Sequence, residues 1–471
     1  MGNTPNRRWG LLVLVAIYFG FVYLVPKPAT VQPEGWRLFG IFVATVAGLI
    51  FQPVPGGALV LMAVVFSTLF GGLTIKQALD GYSDATVWLV LSAFFISRSL
   101  INTGLARRIA LFFVRLFGKT SLGVSYALCL SDVALATIIP SNGARSGGVI
   151  LPIVRSVAEL YGSNPGATSR LIGAFLMTSV YQGVCVSSAM FFTGQASNPL
   201  AAQLASKAGG MNIDWFIWFR NALVPGVVSL LAVPWLVSRI YRPSVVNTPE
   251  AALFARNELT KMGGLSRNEW ILSGVFLAVC SAWGTSSIHK LEVAIPALLG
   301  VIFLISCGVL TWEDIRKEEA AWDMFIWYGG LTNLAKFIAA TGIPTEMAKS
   351  LGSSLEGLSW FGLLMSVGVI YFFAHYVFAS ITAHLLALFP AFVAVVISQG
   401  TPPALSAFML VVFTNLSAGL TNYGTTPAPM FFAQDYVEMK DWWRIGFFCA
   451  LLNIMIWSTV GFAWWKFLGL W

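Results

Sequence analysis

Charge is what this 471-residue chain has least of. Asp, Glu, Lys and Arg make up 10% of it, against 57% hydrophobic residues and a mean hydropathy of +0.78. A soluble domain carries roughly 25% charged residues. The deficit therefore excludes a large soluble core, which would lack the polar residues to cover its surface. Cysteine is also sparse: Cys129, Cys185, Cys280, Cys307 and Cys449 stand singly in apolar surroundings, with no spacing of a metal site or a disulfide framework. No His-Glu-x-x-His occurs, and no nucleophile in the apolar stretches has a positioned base, which argues against an enzyme. The short alternating segments of an outer-membrane barrel are missing. Arg7-Arg8 leads straight into an apolar run without a small-residue cleavage site, so that run reads as a retained first helix. No plastid-type leader is expected.

What is present is a series of apolar stretches of about 17–25 residues, each long enough to cross a bilayer as a helix. The expected fold is an all-α integral membrane protein with about eleven transmembrane helices. Helices are predicted at Trp9–Val25, Gly35–Phe51, Gly57–Leu73 and Thr86–Gly104. Ala106–Gly118 carries Arg107, Arg108 and Arg115, the pattern of an amphipathic helix lying at the interface. Ser121–Pro140 is apolar but returns through Val149–Tyr161, only about 13 residues and short for a crossing. The pair reads as a re-entrant hairpin with its tip at 141–148. Thr168–Phe192 is a helix interrupted at 193–199, where Gly194 and Pro199 mark an unwound break. Trp218–Val237 closes the first half.

The second half repeats the plan. Helices are expected near Glu269–Trp283, Val293–Leu310 and Asp323–Ala340, then an interfacial segment to Gly352. A hairpin follows over Leu358–Ser398 with its tip at 380–384. A helix broken at 421–429 and a last helix at Trp443–Leu468 complete the chain. Ser141 and Ser380, the two tip serines, lie 239 residues apart (380 − 141 = 239). Leu73-Thr74 and Leu310-Thr311, Thr103-Gly104 and Thr341-Gly342, and Arg98 and Lys336 keep nearly the same spacing. Backbone breaks at membrane depth are tolerated only where buried or lining a cavity. Two of them in corresponding places point to a transporter's substrate site. The expected organisation is helix 1 at 1–34, repeat 1 at 35–240, a cytoplasmic connection at 241–267 and repeat 2 at 268–471. Five crossings per repeat invert the second relative to the first. The net charge of +8 then reflects topology and not nucleic-acid binding. Its basic residues gather on the side of the N-terminus, which is expected in the cytoplasm, with the C-terminus outside.

Hairpin tips and broken-helix ends offer unpaired N–H groups, and helix N-termini attract anions. Ser141, Asn142, Ser380, Thr382, Thr425 and Thr426 add neutral donors, although plain turn formation and capping would use the same residues. Arg145 and His384 each lie four residues past a tip serine. Ionisable groups inside a membrane are costly and usually functional. The plain alternatives are an Arg145–Asp132 ion pair and a satisfied buried imidazole. Arg98 and Lys336 lie near helix ends, where snorkelling to the interface is expected.

Pro140-Ser141-Asn142 with Ala144-Arg145, Phe378-Ala379-Ser380 with Thr382-Ala383-His384, and Thr425-Thr426-Pro427-Ala428-Pro429 together resemble the divalent anion/sodium symporter family over nearly the whole chain. The resemblance is closest to its exchanger branch of bacterial citrate/succinate and tartrate/succinate exchangers and plastid 2-oxoglutarate/malate translocators. It implies a homodimer in which a transport domain moves as an elevator against a scaffold. The substrate would lie at Ser141, Asn142, Gly143, Ser380 and Thr382, with Thr426 and Pro427 beside them. Gly143 and Ile381 depart from the family's paired Ser-Asn-Thr signatures, and Ile381 removes an oxygen that would ligate sodium. Arg145 and His384 are expected to contribute to the substrate site and to stand in for the cations by their charge. The resulting expectation is a sodium-independent antiporter of dicarboxylates (2-oxoglutarate, malate, succinate, fumarate) in a bacterial inner membrane. No cofactor, metal or nucleic-acid partner is expected. The rival functions are a sodium-coupled symporter of di- and tricarboxylates and an anion channel.

Overall fold

The computed structural model describes residues 4–343, 346 and 359–471. It is helical throughout, and among the described residues the sole extended pairing is an isolated bridge between Thr120 and Asn247. The first half contains α1 (Thr4–Leu24), α2 (Pro33–Phe51), α3 (Gly56–Leu69), α4 (Ala85–Asn102) and α5 (Leu105–Phe117). Then come α6 (Ser121–Ala136) and α7 (Leu151–Leu160), the arms of the first hairpin, followed by α8 (Gly173–Met190), α9 (Asn198–Gly209) and α10 (Trp215–Ile240). After the connecting helix α11 (Pro249–Met262), the second half contains α12 (Arg267–Gly284), α13 (Ala294–Ser306) and α14 (Glu319–Ala340). The second hairpin is α15 (Trp360–Phe373) and α16 (Ile381–Ser398), with α17 (Pro403–Leu416) and α18 (Met439–Ile456) after it. Among the described residues, seven helices are long and apolar enough to cross a membrane. Apart from Ile343 and Glu346, the expected interfacial segment up to Gly352 lies outside the described residues, as does Leu358.

The local devices that start and stop these helices echo between halves. Thr74 and Thr311 each form a capping box, with Gln77 and Asp314 respectively. Gly104 and Gly342 each end a stretch in the left-handed region, at φ +80° and +77°. A side chain would be strained there, so glycine follows α4 and α14 alike.

Two expectations are corrected. The stretch 141–148 is not a loose turn. Helix begins at Asn142, passes through a π-helical turn at Ser146–Ile150 and continues as α7. Ser141 starts it, its Oγ accepting from the Ala144 N–H at 3.1 Å. The glycines at 147 and 148 therefore sit inside helix, and the turn proper lies upstream of Ser141. Second, Arg98 and Lys336 do not simply snorkel. Arg98 pairs with Glu318 at 3.7 Å and Lys336 with Asp80 at 2.6 Å. Each basic residue of one half is held by an acid of the other.

The connection between the halves is a folded strap. Arg107 pairs with Glu258 at 2.9 Å, and Arg108 holds Glu269 at 2.7 Å and the Gly263 carbonyl at 2.8 Å. Both contacts bind α5 to the strap and to the start of α12. Tyr161, at the end of α7, donates its hydroxyl to Glu250 at 2.7 Å. The Ser121 N–H donates to the Val246 carbonyl at 2.9 Å. The strap thus grips both ends of the first hairpin. The Tyr161 hydroxyl holds the Glu250 carboxyl below its ordinary range.

Candidate substrate site

The two hairpin tips are built alike. Ser380 caps α16 as Ser141 caps its helix, its Oγ accepting from the Ala383 N–H at 3.4 Å. The first amides after each serine have no intrahelical acceptor, and the positive ends of two long helical arms converge. The breaks join them. Asn142 Nδ2 donates to Thr425 Oγ1 at 3.1 Å, tying the first tip to the second break. Tyr181 donates to the Ala418 carbonyl at 2.6 Å and Gln182 to the Gly419 carbonyl at 2.8 Å, bracing α8 against the end of α17.

A cavity of about 1800 Å³ lies between these tips and a wall formed by α14 and the α2–α3 turn. Ser141, Asn142, Ser380, Thr382, Thr425 and Thr426 all line it. Gln195 and Tyr423, one from each break, and Asp323 on α14 line it as well. Neither Tyr423 nor Asp323 stands out in the sequence, since the first looks like one aromatic among many and the second like a helix start. Among the described residues its lining contains no Lys, Arg or His. It suits a small anion carrying oxygens: neutral hydroxyl and amide donors on two sides, with helix N-termini behind them.

Gly143, Arg145, His384 and Pro427 are not among the lining residues. Gly143 lies just behind the surface, where a Cβ would come within 2.8 Å of Thr426 Cγ2. Pro427 starts the short helix Pro427–Phe432 after the second break. Arg145 is fully buried against Asp132, Nε to Oδ1 at 3.0 Å, and Ser187 also donates to that carboxylate. Its Nη1 bridges the carbonyls of Ile139 and Gly194, both at 2.7 Å, and Nη2 reaches Ser188 Oγ at 3.3 Å. The expected role as a fixed positive charge is corrected here: with Asp132 beside it the pair is neutral. Arg145 instead fastens the first tip to the first break.

The second half does the same with different chemistry. His384 Nε2 bonds the Tyr371 carbonyl at 3.0 Å, thirteen residues back along the chain, as Asp132 is from Arg145. His375 Nε2 bonds the Gly424 carbonyl at 2.9 Å, the counterpart of the Arg145–Gly194 contact. Each Nε2 faces a carbonyl and so carries the proton, and each Nδ1 is buried with no partner among the described residues. The two rings lie 4.9 Å apart. Neutral imidazoles in this geometry are donors to the backbone. His375 was not singled out in the sequence; its one signal was a second histidine nine residues before His384 inside an apolar hairpin.

The sodium:sulfate symporter transmembrane region matches residues 6–471. YflS of Bacillus subtilis (strain 168) is 42% identical over 462 residues, covering 98% of this chain and 96% of that protein. Dicarboxylate transporter 1, chloroplastic, of Arabidopsis thaliana is 40% identical over 466 residues, covering 98% of this chain and 83% of that protein. The citrate/succinate antiporter of Escherichia coli (strain K12) is 33% identical over 491 aligned positions that span both chains fully. Among solved structures, the Alcanivorax borkumensis YdaH transporter superposes with a TM-score of 0.53 at 14% identity, over 99% of each chain. Neisseria gonorrhoeae MtrF superposes with a TM-score of 0.56 at 13% identity, over 95% of this chain and 97% of that one. These two likenesses concern the fold. The carbonyls of Ile139, Gly194 and Gly424, oxygens of the kind that ligate sodium, accept here from Arg145 and His375. With a family match over almost its whole length, the chain belongs to the sodium:sulfate symporters, the divalent anion/sodium symporter family, and is a multi-pass membrane transporter and not an enzyme.

Proposed function

We propose that the protein is a sodium-independent antiporter of C4–C5 dicarboxylates, with 2-oxoglutarate, malate, succinate and fumarate as its substrates. One observation carries the sodium independence. Arg145 Nη1 spans the two carbonyls that close the first tip against the first break. A cation bound there would need those oxygens, and an arginine is always charged and always a donor. In the second half His375 occupies the Gly424 carbonyl, and Ile381 supplies no oxygen. Arg145 and His384 act in this reading as permanent hydrogen-bonding substitutes for ions, and not as surplus charge. The dicarboxylate class is supported by the similarity to the plastid dicarboxylate transporters, and exchange by the similarity to the Escherichia coli citrate/succinate antiporter.

The substrate carboxylates accept from Ser141, Asn142, Ser380, Thr382 and Thr426, and from the helix N-termini at the tips. Gly143 and Pro427 shape the floor. The hairpins and broken helices, cross-braced through Tyr181, Gln182 and Asn142, move together as one transport domain within a homodimer. The repeats run over 35–240 and 268–471 in opposite senses. The home is a bacterial inner membrane, with the N-terminus in the cytoplasm and the C-terminus outside.

The test is counterflow in proteoliposomes loaded with unlabelled dicarboxylate, following labelled 2-oxoglutarate in sodium or choline buffer. Uptake is expected only with internal substrate, and at equal rates in both buffers. Uptake into empty vesicles that rises with sodium would replace this reading with a symporter. Conductance without internal substrate would replace it with a channel.

A further inference from the structure

Among the described residues the cavity wall carries one acidic side chain, of the same sign as the substrates. Asp323 lies one turn into α14, is exposed, and faces the space that the hairpin tips also line. Its Oδ1 accepts from the Gly57 N–H at 3.2 Å, where α3 begins in the other half of the chain. A Cβ at position 57 would meet that oxygen at 2.3 Å, so the carboxylate is held tightly against bare backbone. Oδ2 has no hydrogen-bond partner among the described residues. Among the described residues no basic side chain lines the cavity to neutralise it. The N-terminus of α3 offsets part of the charge, about half a unit, and the remainder acts on whatever anion occupies the cavity.

We infer that Asp323 is a specificity-determining residue that sets the charge the site accepts, favouring divalent over trivalent anions. This rests on the dicarboxylate reading above and deepens it. The neutral donors at the tips stabilise each carboxylate similarly, so they discriminate poorly between succinate and citrate by charge. A fixed negative wall penalises every substrate charge equally. A trianion therefore loses one increment more than a dianion. Two unit charges about 10 Å apart, at an effective dielectric constant of about 40, repel by an amount worth about fourfold in affinity. With the α3 end subtracting part, the expected increment is about two- to fourfold per charge.

The experiment measures inhibition of labelled succinate exchange by unlabelled succinate and citrate, at an alkaline pH where citrate is fully ionised. Asp323→Asn keeps an acceptor for the Gly57 N–H and removes the charge. It is expected to strengthen citrate relative to succinate about two- to fourfold, and added salt should shrink that gain. Asp323→Glu, which keeps the charge, should retain the wild-type ratio. An unchanged ratio in Asp323→Asn, or an equal shift in Asp323→Glu, overturns the inference. If wild-type protein exchanges no succinate, the dicarboxylate reading fails separately. The charge ratio is then read from thermal stabilisation of the purified variants by succinate and citrate, and loss of the expected difference there overturns the inference too.

Discussion

A methyl group at position 143 would sit 2.8 Å from Thr426 Cγ2. That one distance accounts for the glycine at this place in the tip, and it couples the first hairpin to the second break. Gly143→Ala should force the tip away at a strain of about 1–3 kcal/mol. The expected readout is a KM for exchanged dicarboxylate raised about tenfold, with partial recovery when Thr426→Ser removes the opposing methyl. Arg145 argues at the same scale. Arg145→Ala leaves Asp132 charged and unpaired in the interior, which costs about 3–5 kcal/mol. Thermal unfolding in detergent should show that loss, and Asp132→Ala on top of it should restore part of the stability. The sequence made Arg145 conspicuous through its place after Ser141, and it offered Asp132 as a partner. It did not say which way the guanidinium points. That depends on carbonyls of Ile139 and Gly194, which have no residue signature because every residue has a carbonyl.

At the scale of elements, hydrophobic runs and their punctuation were readable. The capping threonines at 74 and 311 and the glycines at 104 and 342 stand where the helices change direction. The breaks fall at Gly194 and Gly424 as their glycines and prolines require. The hairpin tip was harder, because Gly143, Gly147 and Gly148 suggest a turn, while the Ser141 cap starts a helix that tertiary packing then sustains. The strap was read as a polar connection, yet it folds as α11, with Ala251 and Ala255 buried on the side that packs on α5. Its pH behaviour belongs to this scale. Glu250 titrates below its ordinary range because the Tyr161 hydroxyl donates to it. A depressed carboxyl contributes stability that is present above its unfolded value and lost as pH falls through the lowered one. Wild type should therefore exceed Tyr161→Phe in resistance to proteolysis near 241–267 at neutral pH, and the two should converge on acidification below the ordinary carboxylate range. A difference that persists in acid would show that the clamp does not work through the carboxylate.

For the whole molecule, the nearly constant spacing of echoes made the two-part plan visible before any coordinates. The contacts between the parts were not visible in this way. Asp323 reaching Gly57, and Asn142 reaching Thr425, join residues 266 and 283 positions apart, and no local pattern announces such pairs. The reciprocal pairing of Arg98 with Glu318 and Lys336 with Asp80 has a consequence in time. A ribosome adds about 5–20 residues each second. Arg98 leaves it some 220 residues (318 − 98) ahead of its acid, and Asp80 some 256 residues ahead of its lysine. For roughly ten to fifty seconds the newborn first half holds both groups without their native counter-charges. These two contacts between the halves therefore form late, well after the first half has left the ribosome.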